Sequence, residues 1–367
     1  MKKTPLHDAH VALGARMAPF GGWDMPIQYE GILAEHEQTR RRASIFDTCH
    51  MGEFELKGPT AGADLERLLT QSVAGIRQGQ CRYGYLLRDD GGVLDDLTCY
   101  RRGEDHFWLV VNAGTLQQDA DWIRGRLSAK TVFNDLSDRT AKLDIQGPRS
   151  REAMEAVLQV RLPDLKYFCF TDVVLAGTPC TLSRSGYTGE WGYELYGPAN
   201  EAVHFWELFL EKGEIKPAGL GARDTLRLEV GYPLYGHELS PDRTPVAASR
   251  GQFVDTKKDF TGKPAVLRDL EQGVPRLLVG LRLDSKRAAR AHDQVMLEGK
   301  AVGEVTSGSV APSLGVAVAM AYVDRDLCQA GRRLDLDVHG KLLPAAVAEL
   351  PFYRDGTARR KDAAGTF

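Results

Sequence analysis

Asp95 and Asp96 stand side by side in GGVLDDLTCY (residues 91–100), an apolar, strand-like run where burial would ordinarily select Val or Ile. A buried carboxylate without a partner is expensive, so two of them here imply either local hydrogen bonding or a use. Successive strand residues face opposite sides, which sends one acid outward and the other inward, toward whatever cavity the strand lines. A hairpin turning at Gly91-Gly92, with both acids bonded to nearby backbone N–H groups, accounts for the same residues equally well.

A second group, RSGYTGEWGYE (residues 184–194), interleaves glycines with Tyr187, Trp191, Tyr193 and the acids Glu190 and Glu194. Such a composition lets backbone approach a flat ligand while Tyr and Trp stack on it. A glycine-rich hairpin carrying ordinary sheet aromatics has the same composition. A third group, PAGLGARD (residues 217–224), leads into helix-like TLRLE. The third glycine of a dinucleotide loop and its preceding strand are missing. The alternative is a helix start with Asp224 near the positive end of the dipole and Arg223 pairing a carboxylate. Arg354, Arg359, Arg360 and Lys361 read as a solvated basic tail or as a dock for an acidic partner. There is no GxSxG elbow and no P-loop, and the nine histidines show neither HExxH nor HxH grouping. Residue spacing therefore leads to an aromatic, acid-lined pocket for a planar polar ligand, with no metal, and stops there.

The elements that must position these groups show a threefold pattern. A short alternating strand runs into Gly-Pro and an amphipathic helix at GEFELKGPTAGADLERLL, AKLDIQGPRSREAMEAVL and GYELYGPANEAVHFWELFL. Proline suits a helix beginning and glycine permits the change of direction. Interleaved hairpins, such as residues 97–100 against 107–111, indicate α+β modules with helices on one face of largely antiparallel sheets. After residue 270 helical periodicity nearly vanishes, and short strands are expected at 276–283, 295–297, 301–306, 316–323, 334–338 and 342–349. A small β-barrel or sandwich closes such a set. The expected division is a domain of residues 1–274 followed by one of 275–367.

Composition narrows the function classes. A chain of 367 residues exceeds what one core organises. Lys plus Arg number 47 against 50 Asp plus Glu, so no global charge draws it to nucleic acid. No apolar run spans a bilayer and the N-terminus lacks a signal-peptide core, giving an expected cytoplasmic location and no membrane partner. Six scattered cysteines without a CxxC pair read as reduced thiols.

The ordered motifs MKKTPLHDAH, FGGWDMPIQY, FDTCHMGEFELKGP, GGVLDDL, LVVNAG, SRSGYTGEWGYE, PAGLGARDTLRLE and LPFYR resemble, over nearly the whole chain, the aminomethyltransferase (T protein) family of the glycine cleavage system. The resemblance implies a three-lobed folate-binding module ending in a β-barrel. It also implies transfer of the aminomethyl group from the lipoyl arm of the H protein to tetrahydrofolate, giving 5,10-methylenetetrahydrofolate and ammonia. By the same resemblance Asp96 lies beside the folate N5 and N10, where a carboxylate orients the nucleophile and stabilises positive charge as the iminium is captured. Glu194 grips the pterin edge. Tyr83, Tyr187 and Tyr232 form walls, Asn112 gives a hydrogen bond, Arg223 contacts the folate, and Arg290 meets either the glutamate end of the folate or the lipoyl partner.

Three departures from the family pattern stand out: Cys49 where serine is usual, VAASRGQFVDTKKDF from Val246, and Pro233 after Tyr232. The same pocket would serve a folate-dependent demethylase of small sulfur or nitrogen compounds. Folate-binding relatives that maintain iron-sulfur proteins carry a KGCYxGQE-type signature, and the matching KDFTGK (residues 258–263) has no cysteine.

Overall fold

The computed structural model describes residues 1–360; Lys361 of the basic tail lies outside the described residues. Three β-systems carry the chain. Strands Gln80–Leu87, Val93–Arg101, His106–Val111, Gly52–Lys57 and Val132–Asp135 form, in that spatial order, a five-stranded antiparallel sheet. A second sheet runs Phe170–Leu175, Thr178–Ser183, Gly192–Pro198, Thr140–Gln146, Ala43–Asp47 and Ile215–Pro217, antiparallel except for its last pair. Strands Arg276–Leu283, Val316–Asp324, Lys300–Ala311, Gln294–Leu297, Arg333–Val338 and Lys341–Ala348 close into an antiparallel barrel. This is the α+β, three-lobed architecture expected, with each of the six strands anticipated after residue 275 present.

All three strand–Gly-Pro–helix units form. Gly52–Lys57 feeds helix Ala61–Leu68, Thr140–Gln146 feeds Ser150–Leu158, and Gly192–Pro198 feeds Ala202–Leu210 through a single 3-10 turn. The proline does not open the helix as expected. In the first two units it is the second residue of a β-turn closed by Ala61 N–H to Gly58 O and Ser150 N–H to Gly147 O, both 3.0 Å, so its fixed φ shapes the turn before the helix. Glycine is required at both turn starts. Gly58 and Gly147 have φ of 129° and 136°, and an added Cβ would lie 2.0 Å from the Lys130 carbonyl oxygen and 2.1 Å from that of Arg42.

The helices cover one face of each sheet. Leu65, Leu68, Ala120 and Ile123 pack on Phe54, Leu56 and Leu109 of the first sheet, and Met154, Val157, Phe205, Trp206 and Phe209 pack on Leu143, Ile145 and Leu195 of the second. Each such large side chain contributes about 1.5–3 kcal/mol on burial. The helix-free faces approach one another where Phe170 N–H bonds Gly79 O at 2.8 Å and Cys81 N–H bonds Phe168 O at 3.0 Å, with Cys81, Tyr100, Val110, Phe170 and Tyr196 packed between.

After the barrel the chain returns to the second lobe. The Thr357 hydroxyl donates to Glu190 at 2.6 Å, and the Arg184 guanidinium bonds the Ala358 carbonyl at 3.0 Å. Of the basic tail residues, Arg354 and Arg359 are exposed, and Arg354 pairs Glu349. The cysteines are all free. Among the described residues no helix is long and apolar enough to cross a membrane, and no group of three or more His, Cys, Asp or Glu is arranged to hold a metal ion.

Candidate active site

Strand alternation separates the two acids as expected. Asp95 is wholly buried and faces the helix-packed core, whereas Asp96 is half-buried on the opposite, helix-free face. The Asp96 carboxylate accepts the Tyr83 hydroxyl at 2.9 Å on Oδ2 and the Asn112 amide at 3.0 Å on Oδ1. Tyr83 comes from the adjacent strand, and Asn112 directly follows strand His106–Val111. The same Asn112 amide reaches Asp95 Oδ1 at 2.8 Å, and its backbone N–H donates to Asp95 Oδ2 at 2.9 Å. Asn112 is thus the clamp that joins both acids. Burial, then the Asp95 charge, pushes the Asp96 carboxyl up to about 7 against the opposing hydrogen bonds from Tyr83 and Asn112.

The face that carries Asp96 leads to the second sheet. Tyr100 lies four residues along the same strand, on the same side, and its hydroxyl donates to Glu194 Oε2 at 3.0 Å. Glu194 Oε2 also accepts Ser185 at 2.6 Å and Tyr196 at 3.1 Å. The other oxygen, Oε1, has one long contact, to Lys142 Nζ at 3.3 Å. Lys142 is buried and bonds Asp144 Oδ1 at 2.5 Å; Asp144 Oδ2 accepts Arg223 at 2.9 Å. Glu194 pairs across the strands with Asp144, so these charges share one face. Burial alone would lower the Lys142 ammonium, but Asp144 and Glu194 outweigh it and the group is raised. Asp144 is held below the ordinary carboxylate range, because Lys142 and Arg223 overcome its burial.

Aromatic groups flank this chain of charges. The Arg223 guanidinium lies 4.8 Å from the Tyr187 ring centroid, and the Tyr187 and Tyr232 rings are 5.8 Å apart at 35°. The Tyr187 hydroxyl donates to the backbone carbonyl of Pro233, an acceptor that any residue at this position would offer. Buried Arg227 bonds Glu238 at 2.8 Å and the Tyr232 carbonyl at 3.2 Å. In the atypical segment that begins at Val246, Phe253 stands edge-on to Tyr83, centroids 4.8 Å apart. The Cys49 thiol donates to the Lys142 carbonyl at 3.4 Å, as a serine hydroxyl would.

Asp96, Tyr83, Asn112, Glu194, Arg223, Tyr187 and Tyr232 therefore converge through Tyr100, Lys142 and Asp144. Arg290 does not join them. It is exposed on the barrel, bonding the Gly308 carbonyl at 2.6 Å, and among the described residues no hydrogen bond links it to the others. Trp191 is buried in the second lobe beneath the Arg184 guanidinium, 3.4 Å from the ring centroid, and is unavailable to stack on a ligand. The glycines around it make room for protein. A Cβ on Gly186 would lie 2.0 Å from the Gln146 side chain, and one on Gly192 would lie 2.5 Å from it.

Tyr100, Lys142, Asp144 and Tyr196 escape a search for motifs. The signal for the lysine and aspartate is period-two: in AKLDIQ the charges alternate with buried Leu143 and Ile145 on the other face.

A three-lobed α+β module ending in a closed barrel narrows the chain to one fold class, and its similarity to known proteins gives the family. The GCVT N-terminal domain model matches residues 6–258, and the glycine cleavage T-protein C-terminal barrel domain model matches residues 276–354. An aminomethyltransferase of Moorella thermoacetica is 44% identical over 359 residues, covering 96% of this chain and 98% of the relative. One from Symbiobacterium thermophilum is 42% identical over 366 residues, with 96% and 98% covered. The crystal structure of glycine cleavage system aminomethyltransferase T from Bartonella henselae superposes with a TM-score of 0.92 at 34% identity, covering 97% of this chain and 99% of that one. The chain belongs to the glycine cleavage T-protein, or aminomethyltransferase, family.

Proposed function

We propose that the chain transfers the methylene of an aminomethyl group, carried on the lipoyl arm of an H protein, to tetrahydrofolate, releasing ammonia. The observation that supports this reading is the Tyr100 hydroxyl, which starts on the Asp96 strand and ends on Glu194, joining the sheet face that carries one acid to the face that carries the other. The residues fit a reduced pterin. Among the described residues Glu194 Oε1 has one long contact and keeps lone-pair capacity for the paired N–H donors of a 2-amino-4-oxo ring, while three hydroxyls on Oε2 hold the carboxylate in place. Tyr187, Tyr232 and Tyr83 would wall the ring. Asp96, oriented by Tyr83 and Asn112, would address the folate nitrogens and balance positive charge as the bond to ammonia breaks.

Arg223, held by Asp144, is assigned to the folate side. Arg290, exposed on the barrel, is assigned to the anionic end of the folate or to the lipoyl carrier. The division at residue 274 would separate the folate module from the barrel, and six free thiols support a reducing, cytoplasmic location. The test is ammonia release from aminomethylated H protein, with and without tetrahydrofolate. Dependence on both is expected. Turnover of a small methylated compound without H protein would instead identify a demethylase.

A further inference from the structure

We infer that Asp119, on helix Leu116–Arg124, is a positioning residue for the transfer. Its buried carboxylic acid O–H donates to Asp95, and Asp95, through the Asn112 amide, fixes Asp96 at the candidate site. The inference rests on the reading of Asp96 as the acid that meets the reacting atoms. Asp119 and Asp95 are both completely buried. Among the described residues no N–H or O–H donor meets either oxygen of Asp119 in good hydrogen-bond geometry; its nearest polar neighbours are the Asp95 carboxyl and the Thr115 hydroxyl. An ionised carboxylate can only accept, so two facing buried acids are compatible only if one keeps its proton and donates.

Asp95 is the acceptor of the two. Both its oxygens already take donors, from the Asn112 backbone and side chain, and these favour its anion. Burial raises both acids, but Asp119 has only the Thr115 hydroxyl to oppose it, and burial followed by the Asp95 charge drives it well above the ordinary carboxylate range. The other titratable groups facing this cluster are Tyr83, Tyr85 and Tyr235, all held neutral by burial. Among the described residues no lysine, arginine or histidine pairs with Asp95, Asp96 or Asp119. The proton on Asp119 is therefore what permits an anion at Asp95, and the Asp95 anion orients Asn112 and raises Asp96.

Two measurements test this. The infrared difference spectrum between the native chain and Asp119→Asn at about pH 8, far above the usual carboxylate pKa of about 4, should contain the carbonyl stretch of one protonated carboxylic acid. Glu53, also buried and raised, contributes equally to both spectra and cancels. A difference spectrum that lacks this carbonyl stretch and shows carboxylate bands in its place would overturn the inference whatever the activity. In Asp119→Ala the proton passes to Asp95, its charge is lost, and the acid limb of the transfer rate should move down by about one pH unit or more. Asp119→Asn, which keeps a donor toward Asp95, should leave the limb near its native position. A folded Asp119→Ala with an unmoved limb also overturns the inference. If Asp119→Ala does not fold, the infrared comparison decides alone. That spectrum needs no substrate, so its result is distinct from any failure of the transferase reading.

Discussion

The two sheet faces of the candidate site handle charge in opposite ways. Around Asp96 on the first sheet three acids gather and, among the described residues, no cation pairs with them; the carboxyl is pushed up to about 7. Around Glu194 on the second sheet the charges alternate: Glu194, Lys142, Asp144, Arg223. An uncompensated acid cluster exchanges protons near neutrality, which suits a group acting during a reaction. A compensated row keeps fixed charge over a wide pH range, which suits recognition of a polar ring edge. On the proposed function, transfer falls to the first face and recognition of the ring edge to the second.

The comparison breaks first at Asp96. Asp96→Asn should lower methylene transfer by about a thousandfold or more in single-turnover ammonia release, in keeping with a positioned acid–base group. Turnover within tenfold of native would remove Asp96 from the reaction. The opposite face breaks at Lys142. Lys142→Met leaves buried Asp144 and partly buried Glu194 short of a cation and should cost about 3 kcal/mol in urea unfolding, and adding Asp144→Ala should recover much of it. Equal stability of the native chain and the single variant would mean that the row is not electrostatically linked.

Smaller effects sharpen the contrast. If the Asp96 carboxylate is the active form, transfer should rise with pH through about 7. A raised folded-state pKa means that the native state holds its proton more tightly than the unfolded chain. The stability this gives is complete below about pH 4 and is lost as pH rises to about 7. Asp96→Asn removes that loss, so the variant should be more stable than native above pH 7 by about 1–2 kcal/mol, discounted for the partial exposure of the group. Thermal melts at pH 5 and pH 8 check this; a variant that gains nothing at the higher pH contradicts the sign.

Much of the framework is legible in the sequence because its signals are local. Hairpin alternation marks the barrel strands, and Gly-Pro followed by helical periodicity marks three strand–turn–helix units. Gly58 and Gly147 are dictated by turn geometry alone. Asp95 and Asp96 advertise themselves by polarity in an apolar run, and alternation sends them to opposite faces. The partners that matter are not local. Tyr100 reaches Glu194 across 94 positions, and Asn112 meets the two acids only when strands pair. Trp191 misleads because stacking on a ligand and stacking under Arg184 require the same residue types. Asp119 looks like an ordinary helix acid, and only its complete burial against Asp95 reveals it.

The division of labour between the faces is tested most directly by titrating tetrahydrofolate calorimetrically into Asp96→Asn and Glu194→Ala in parallel. Asp96→Asn should bind within about tenfold of native, a difference of about 1.4 kcal/mol or less. Glu194→Ala should weaken binding by about 1–3 kcal/mol, since the ring donors lose their acceptor. Native affinity in Glu194→Ala, or a binding loss confined to Asp96→Asn, would contradict the account.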